Sequence, residues 1–472
     1  MKTDWNVSQV EFEGFGSRKL VASFDAEHIT SDGGVVLLHK VDRKFGLVRR
    51  LAKCFVDHRT PELIEHRVEA LLRQRIYGIA CGYEDLNDHA TLRDDPLLAA
   101  VVGKADPLGR DRREEKDKGH PLASPSTLNR LELTPADATE ESRYRKVVYD
   151  GEALADFFVD MYLDAQPKRP REIILDLDAT DDLIHGTQEG RFFHGYYGNY
   201  CYLPLYIFAG DYLLCAKLRK SDIDGSAGAL DEVKRIVARI RARWPKTKFV
   251  LRADSGFARD ELMTWCEENK VDFIFGLAKN SRLEGMISAE LETVKQEAEK
   301  SGEAARMFRE LRYQTLDSWA RERRVVAKAE HLGDKSNPRF VVTSLPTDEW
   351  EARALYEDLY CARGDMENRI KEQQLDMFAD RTSAHTMRAN QLRLWFSSVA
   401  YVLVNLLRHF GLGGTAFENA QAGTIRLKLL KLGALVRVSV RRIVLSLSAA
   451  APVRDVFQRI ALQLEANVPL YD

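Results

Sequence analysis

The sequence predicts an α/β protein: one mixed sheet with flanking helices, bordered by a mainly helical N-terminal region and a helical C-terminal region. Strand-length apolar runs cluster between Arg171 and Ala278, and helix-period runs alternate with the later ones. The segment before Asp150 carries mostly helical spacing. A chain of 472 residues has room for two to four structural units, at roughly 100–200 residues each. With 45% hydrophobic and 30% charged residues, an ordinary soluble core is expected.

Taken in order, LVASFDAEHI is a short strand candidate, and Ser31 and Asp32 precede the helix-like GGVVLLHKVDRKFG. PELIEHRVEALLRQRIYGIACG has helical spacing, with Pro61 suited to its first turn. GKADPLGRDRREEKDKGHPLASP is charged and broken by Pro and Gly, as an exposed loop or linker would be. REIILDLDAT then reads as a buried strand. CYLPLYIFAGD and YLLCAKLRK follow as two more, turned at Gly210 and Asp211. AGALDEVKRIVARIRARW is an amphipathic helix, KFVLRAD a strand ending in the turn SGF, RDELMTWCEENK a helix and DFIFGLA a strand. Three strands followed by helix, strand, helix, strand is the element order of a ribonuclease-H-like domain. From Asn280 to Pro338 the pattern turns irregular, before RFVVTSL resumes as a strand. A long helix fits Asp348–Gln374, with Thr347 as its N-cap, and ANQLRLWFSSVAYVLVNLLRHF is apolar enough to be buried. The last sixty or so residues read as basic and helical.

No run of about 18 uncharged apolar residues occurs, so no membrane span is expected. MKTDWNVSQVEFEGFG lacks the basic head and apolar stretch of a secretory signal, which points to the cytoplasm. The six cysteines show no CxxC pairing and read as buried thiols, without a zinc site or disulfide framework. A net charge of −2 argues mildly against nucleic-acid binding. The distribution argues the other way. Lys234, Arg235, Arg239, Arg241, Arg243, Lys246, Lys248 and Arg252 form an acid-free run, and Gln421–Asp472 holds eight Lys or Arg against three Asp or Glu. Each stretch is either a solvated face or a DNA-contacting patch.

Asp176 and Asp178 lie two apart on one strand and so share a face. Asp254 closes the C-terminal end of another strand, the usual place for function in an α/β sheet. Tyr360, Arg363, Glu367, Lys371 and Gln374 are spaced to share one helix face. Converging carboxylates repel unless cations offset them, and two Mg²⁺ ions about 3.5–4 Å apart would do so. Oxygen-only ligands suit Mg²⁺ or Mn²⁺ rather than zinc. Taken singly, each acid also reads as a turn residue or as half of a surface helix pair.

Together these residues resemble a known family. DLDAT matches the D-x-T of insertion-sequence DDE transposases, RADSGF resembles their second acidic block, and YCARGDMENRIKE resembles their Y-x₂-R-x₃-E signature. HGTQEGRFFHGYYGNYCYLPLYIF and GYEDLNDHATLRDDPLLAAVVG look specifically like the insertion-sequence thirteen-eighty family. The resemblance runs across nearly the whole chain. It implies a ribonuclease-H-like core over 171–279 and 339–412, an insertion domain over 280–338, an N-terminal DNA-end-binding region over 1–150 and a basic C-terminal region over 413–472. It implies Asp178, Asp254 and Glu367 as catalytic residues and ligands of two Mg²⁺ or Mn²⁺ ions, with Asp176 as the competing first acid. DNA contacts would fall to Tyr360, Arg363, Lys371, Arg252 and Trp319, although Trp319 also reads as a core tryptophan. One departure is Gln374, where related transposases carry lysine; Lys371 is the substitute. The implied function is cut-and-paste transposition on terminal inverted repeats by a homodimer. A structure-selective nuclease and a non-catalytic DNA-binding relic are the alternatives.

Overall fold

The run IILDL is apolar at nearly every position because its strand is covered on both faces. In the computed structural model, which describes residues 9–12, 20–23, 25–333 and 335–466, this strand, β1 (Glu172–Ala179), lies inside a mixed sheet. β2 (Leu205–Ala209) and β3 (Tyr212–Lys217) form an antiparallel hairpin beside it. Gly210 turns that hairpin with φ +62°, a conformation that suits glycine. On the other side β4 (Lys248–Ala253) runs parallel to β1, and β5 (Asp272–Leu277) runs parallel to β4. Beyond β5 come β6 (Ala305–Tyr313), β7 (Arg323–Leu332) and β8 (Arg339–Thr343), giving the order β3-β2-β1-β4-β5-β8-β7-β6. Lys335–Ser336 adds a short strand on β7.

The helices pack where their apolar stripes require. α1 (Gly151–Ala165) is capped by Asp150, whose carboxylate accepts from the amides of Glu152 (2.9 Å) and Ala153 (3.1 Å). α1, α2 (Ala229–Arg243) and α3 (Asp260–Glu268) contribute Val159, Val233, Ile236 and Met263 to one core with Leu175, Leu177, Phe249 and Phe273. On the opposite sheet face Val250, Ile274, Val326 and Val341 pack against Leu355 and Tyr356.

The irregular stretch 280–338 continues this sheet. It supplies α4 (Ser281–Met286), α5 (Ser288–Ser301), β6 and β7, and its Val294, Leu311, Tyr313 and Val325 join the core that holds Leu175. The expected helix over Asp348–Gln374 runs from Ala352 to Asp376 with uneven winding. Wide π turns at Leu355–Tyr360 and Glu372–Asp376 flank a tight turn at Cys361–Arg363 and a regular helix, α6 (Gly364–Lys371). Thr347 is not its cap. Glu351 accepts from the Arg353 amide at 3.3 Å instead, while the Thr347 hydroxyl bonds Glu310. The buried apolar helix is α7 (Met387–Gly411).

The chain forms two compact units: 49–58 with 130–406 carry the sheet above, and 1–48, 59–129 and 407–472 make the other. In the second unit the strand His28–Thr30 pairs with Ala434–Val438, which pairs with Ile443–Leu447. The C-terminal region is therefore not wholly helical. The valine-rich LVRV at 435–438 joins a sheet, and helix resumes only at Arg454–Ala466. That last helix is held to Val35–Phe45, with Lys40 Nζ donating to the Ala461 carbonyl at 3.1 Å. The charged stretch Gly103–Pro125 lies within this unit and stays irregular apart from a turn at Glu115–Asp117. Among the described residues no helix is long and apolar enough to cross a membrane.

Candidate active site

β1 delivers Asp178 near its C-terminal end, and Asp254 follows immediately on β4. The parallel register pairs Ala253 with Leu177, so the next residues, Asp254 and Asp178, follow side by side at the C-terminal ends of two interior strands. The Asp254 carboxylate is steadied by the Gly256 amide at 2.9 Å. α6 brings Glu367 from above, and Arg363 stands between the acids. Its Nη2 lies 2.6 Å from Glu367 Oε1 and its Nη1 lies 3.7 Å from Asp178 Oδ1. Burial pushes the Asp178 carboxyl up to about 7; the Arg363 guanidinium opposes this, and the charges of Asp254 and Glu367 add to it. The three acids thus sense one another. They do not form a ready cage: among the described residues no group of three or more His, Cys, Asp or Glu side chains is placed to hold a metal ion. Glu367 is turned towards Arg363.

Tyr360 belongs to the same site. Burial raises its hydroxyl pKa, with the Asp254 charge contributing in the same sense and Arg363 opposing. A Cβ on Gly276 of β5 would meet Tyr360 Oη at 2.6 Å and the Ser255 amide nitrogen at 2.9 Å. The glycine lets the ring and the Asp254 turn close over the sheet.

Asp176 has a different occupation. It is buried and receives Arg252 through two guanidinium contacts, the Nη2–Oδ2 one at 2.8 Å, and Arg252 Nη1 also donates to the Leu359 carbonyl at 2.6 Å. Arg252, expected to contact DNA, is buried in an ion pair by its strand position opposite Asp176. Trp319, the expected aromatic DNA contact, sits where its alternative reading as a core tryptophan put it. It is 5% exposed, lies edge-on to Tyr313 at 5.7 Å and packs in the sheet core.

The basic run on α2 is mostly spoken for as well. Arg235 and Arg239 bond Asp156 on α1 at 2.9 and 2.6 Å, Arg239 bonds Asp160 at 2.6 Å, and Arg243 bonds Asp164 at 2.5 Å. The i, i+4 spacing on both helices makes a ladder of pairs.

The family model described as Transposase DDE domain group 1 matches residues 12–469. The chain belongs to the DDE transposase family. No curated protein matches it. Among solved structures, "Cryo-EM structure of piggyBac transposase synaptic complex with hairpin DNA (SNHP)" is similar to it at 10% identity and a TM-score of 0.42, over 94% of this chain and 83% of that one.

In this DDE transposase Lys371 is exposed one turn beyond Glu367, whereas Gln374 points back into the protein. The Gln374 amide donates to Asp182 Oδ1 at 3.0 Å and to the Asp181 carbonyl at 3.2 Å. Asp182 is fully buried, and burial pushes its carboxyl up to about 8. Sequence reasoning passed over Asp182, although the doubled acid in DATDD just after β1 was a signal. Five of the cysteines are buried free thiols, and Cys361 is exposed.

Proposed function

We propose that this DDE transposase binds the inverted-repeat ends of an insertion sequence of the thirteen-eighty kind, cleaves DNA there and joins the freed end to target DNA. The observation that carries the reading is the convergence of Asp178, Asp254 and Glu367 around Arg363 in a chain whose family model spans 12–469. The sheet order β3-β2-β1-β4-β5, with β1 antiparallel to β2 and parallel to β4, supports a ribonuclease-H-like core into which 280–338 is inserted.

The donor set fits a hard divalent cation. All three groups are carboxylates, and one of them, Asp178, is buried beside two like charges that raise its pKa. Asp178, Asp254 and Glu367 would hold Mg²⁺ or Mn²⁺, as two ions, and such ions supply activation of the attacking oxygen and stabilisation of the leaving one. Glu367, now paired with Arg363, would have to leave it to complete the set. Arg363, released, presents a guanidinium whose fork suits a phosphate of the cleaved strand. Tyr360 holds the Asp254 turn from the side of β5, and exposed Lys371 offers a second cation to the DNA backbone. DNA-end recognition falls to the unit containing 1–48, 59–129 and 407–472, whose exposed Arg437, Arg441 and Arg442 support phosphate contact. Bringing two ends together calls for a homodimer acting in the cytoplasm.

The test is purified protein with a duplex carrying the element boundary and Mg²⁺. The parent nicks at the boundary, while Asp178→Asn and Glu367→Gln bind the duplex and leave it intact. Cleavage by either variant at the parental rate overturns the assignment.

A further inference from the structure

The chain between β1 and β2 makes a small antiparallel sheet of its own, in the order Asp182–Leu183, Asn199–Tyr202, Phe192–His194. Its outer and middle strands and its tip turn aromatic rings to solvent. Phe193 is 58% exposed, Tyr196 86% and Tyr200 45%. Apolar surface gathered this tightly marks a binding surface more often than a solvated face. A cation lies over one of these rings, the Arg191 guanidinium 4.5 Å from the Tyr200 centroid, and another over the neighbouring Phe192, with Lys220 Nζ 5.9 Å from its centroid. At the tip, a Cβ on Gly195 or Gly198 would meet nothing within 4 Å. From the same turn the Tyr197 hydroxyl donates to the carbonyl of Ala179, the residue after Asp178, at 3.4 Å, which ties the tip of the hairpin to the catalytic strand. The Ser221 hydroxyl fixes the Phe192 carbonyl at 3.0 Å.

We infer that the Arg191–Asn199 hairpin is a stacking platform for unpaired bases of the DNA strand that enters the Asp178 site. Rings with cations above them recognise the two things an unpaired strand offers together, a free base face and a phosphate. A duplex keeps its base faces stacked and offers phosphates alone, so exposed rings would gain nothing from it. Of the acids around the hairpin, the Glu189 carboxylate accepts from the Met387 amide at 3.1 Å and Asp182 is buried, while Asp181 and Asp178 face Tyr197 and leave Phe193 and Tyr196 to the strand. The inference rests on the transposase reading for the source of the DNA, and its test separates the two.

Full-length parent and the Phe193→Ala/Tyr196→Ala variant are compared, with EDTA present, for anisotropy binding to a labelled mixed-sequence single strand and to the same sequence as duplex. The variant loses about tenfold or more in single-strand affinity, at stacking energies of ~1–3 kcal/mol per base, with less than twofold change on duplex. Phe193→Trp/Tyr196→Phe retains parental single-strand affinity. Unchanged melting temperature shows that the exposed changes leave the fold intact. Equal single-strand affinity of parent and alanine variant overturns the platform, even where the parent cuts element ends as expected. An alanine variant that loses self-association by sedimentation, with DNA binding unchanged, also overturns it and assigns the hairpin to a second copy of the chain. A parent that keeps the single-strand preference but cuts no DNA leaves the platform standing and removes the transposase reading.

Discussion

Asp176 and Asp178 share a strand and a face, yet their surroundings give them different work. Asp176 meets Arg252 across the parallel register, whereas Asp178 meets Arg363, Asp254 and Glu367. Breaking a buried ion pair from one side leaves an uncompensated charge, so Arg252→Met is expected to cost ~3–5 kcal/mol in urea unfolding, and Asp176→Leu/Arg252→Met to recover most of it. The folded fraction of Asp176→Asn should still nick DNA while Asp178→Asn does not; inactivity of both with intact folding would move the first acid to Asp176. Asp182 yields a pH prediction. Its folded pKa of about 8 stands above the unfolded carboxylate value of ~3.9, so the folded state binds the extra proton between them. Its contribution is complete below about pH 4 and is lost as pH rises through about 8. Asp182→Asn should therefore flatten the fall in melting temperature between pH 5 and 8 and exceed the parent at pH 8. At Gly276, alanine has no room between Tyr360 Oη and the Ser255 amide. Gly276→Ala should destabilise by ~1–3 kcal/mol, and less so in a Tyr360→Phe background.

At the scale of elements, α2 shows why a basic run is not by itself a DNA-binding face. Arg235, Arg239 and Arg243 are matched rung by rung by Asp156 and its successors on α1. Exposed or half-exposed pairs of this kind contribute ~0.2–1 kcal/mol each. Replacing Arg239 and Arg243 by Gln should leave the salt dependence of DNA binding unchanged. Replacing Arg437, Arg441 and Arg442, which are exposed on the 434–447 hairpin, should shallow it by ~0.9 per lost phosphate contact; a steeper effect from the α2 pair would reverse the assignment. The helical stretch over Ala352–Asp376 makes a related point. Its π turns lie on either side of Arg363 and Glu367, the placement such turns often have at functional sites.

At the scale of the whole chain, each compact unit is assembled from separated segments. The strand His28–Thr30 depends on Ala434–Val438 for its hydrogen bonds, and Val35–Phe45 depends on Arg454–Ala466 for cover. A fragment ending at residue 129 lacks both partners and should show little cooperative melting by circular dichroism. A sharp transition in that fragment would mean that the N-terminal segment folds unaided.

The order of the main-sheet strands and their helices from Arg171 to Leu277 was legible in the sequence, because period is a local property of the chain, whereas the three acids were singled out by resemblance to the family's motifs. Long-range pairing decided the rest. That Arg252 serves Asp176, that the α2 arginines serve α1, that Trp319 packs inside and that the last strands return to the first are facts about which distant residue a side chain meets. Local periodicity says which face is apolar; it carries no record of what that face, or the charge on its opposite side, will find there.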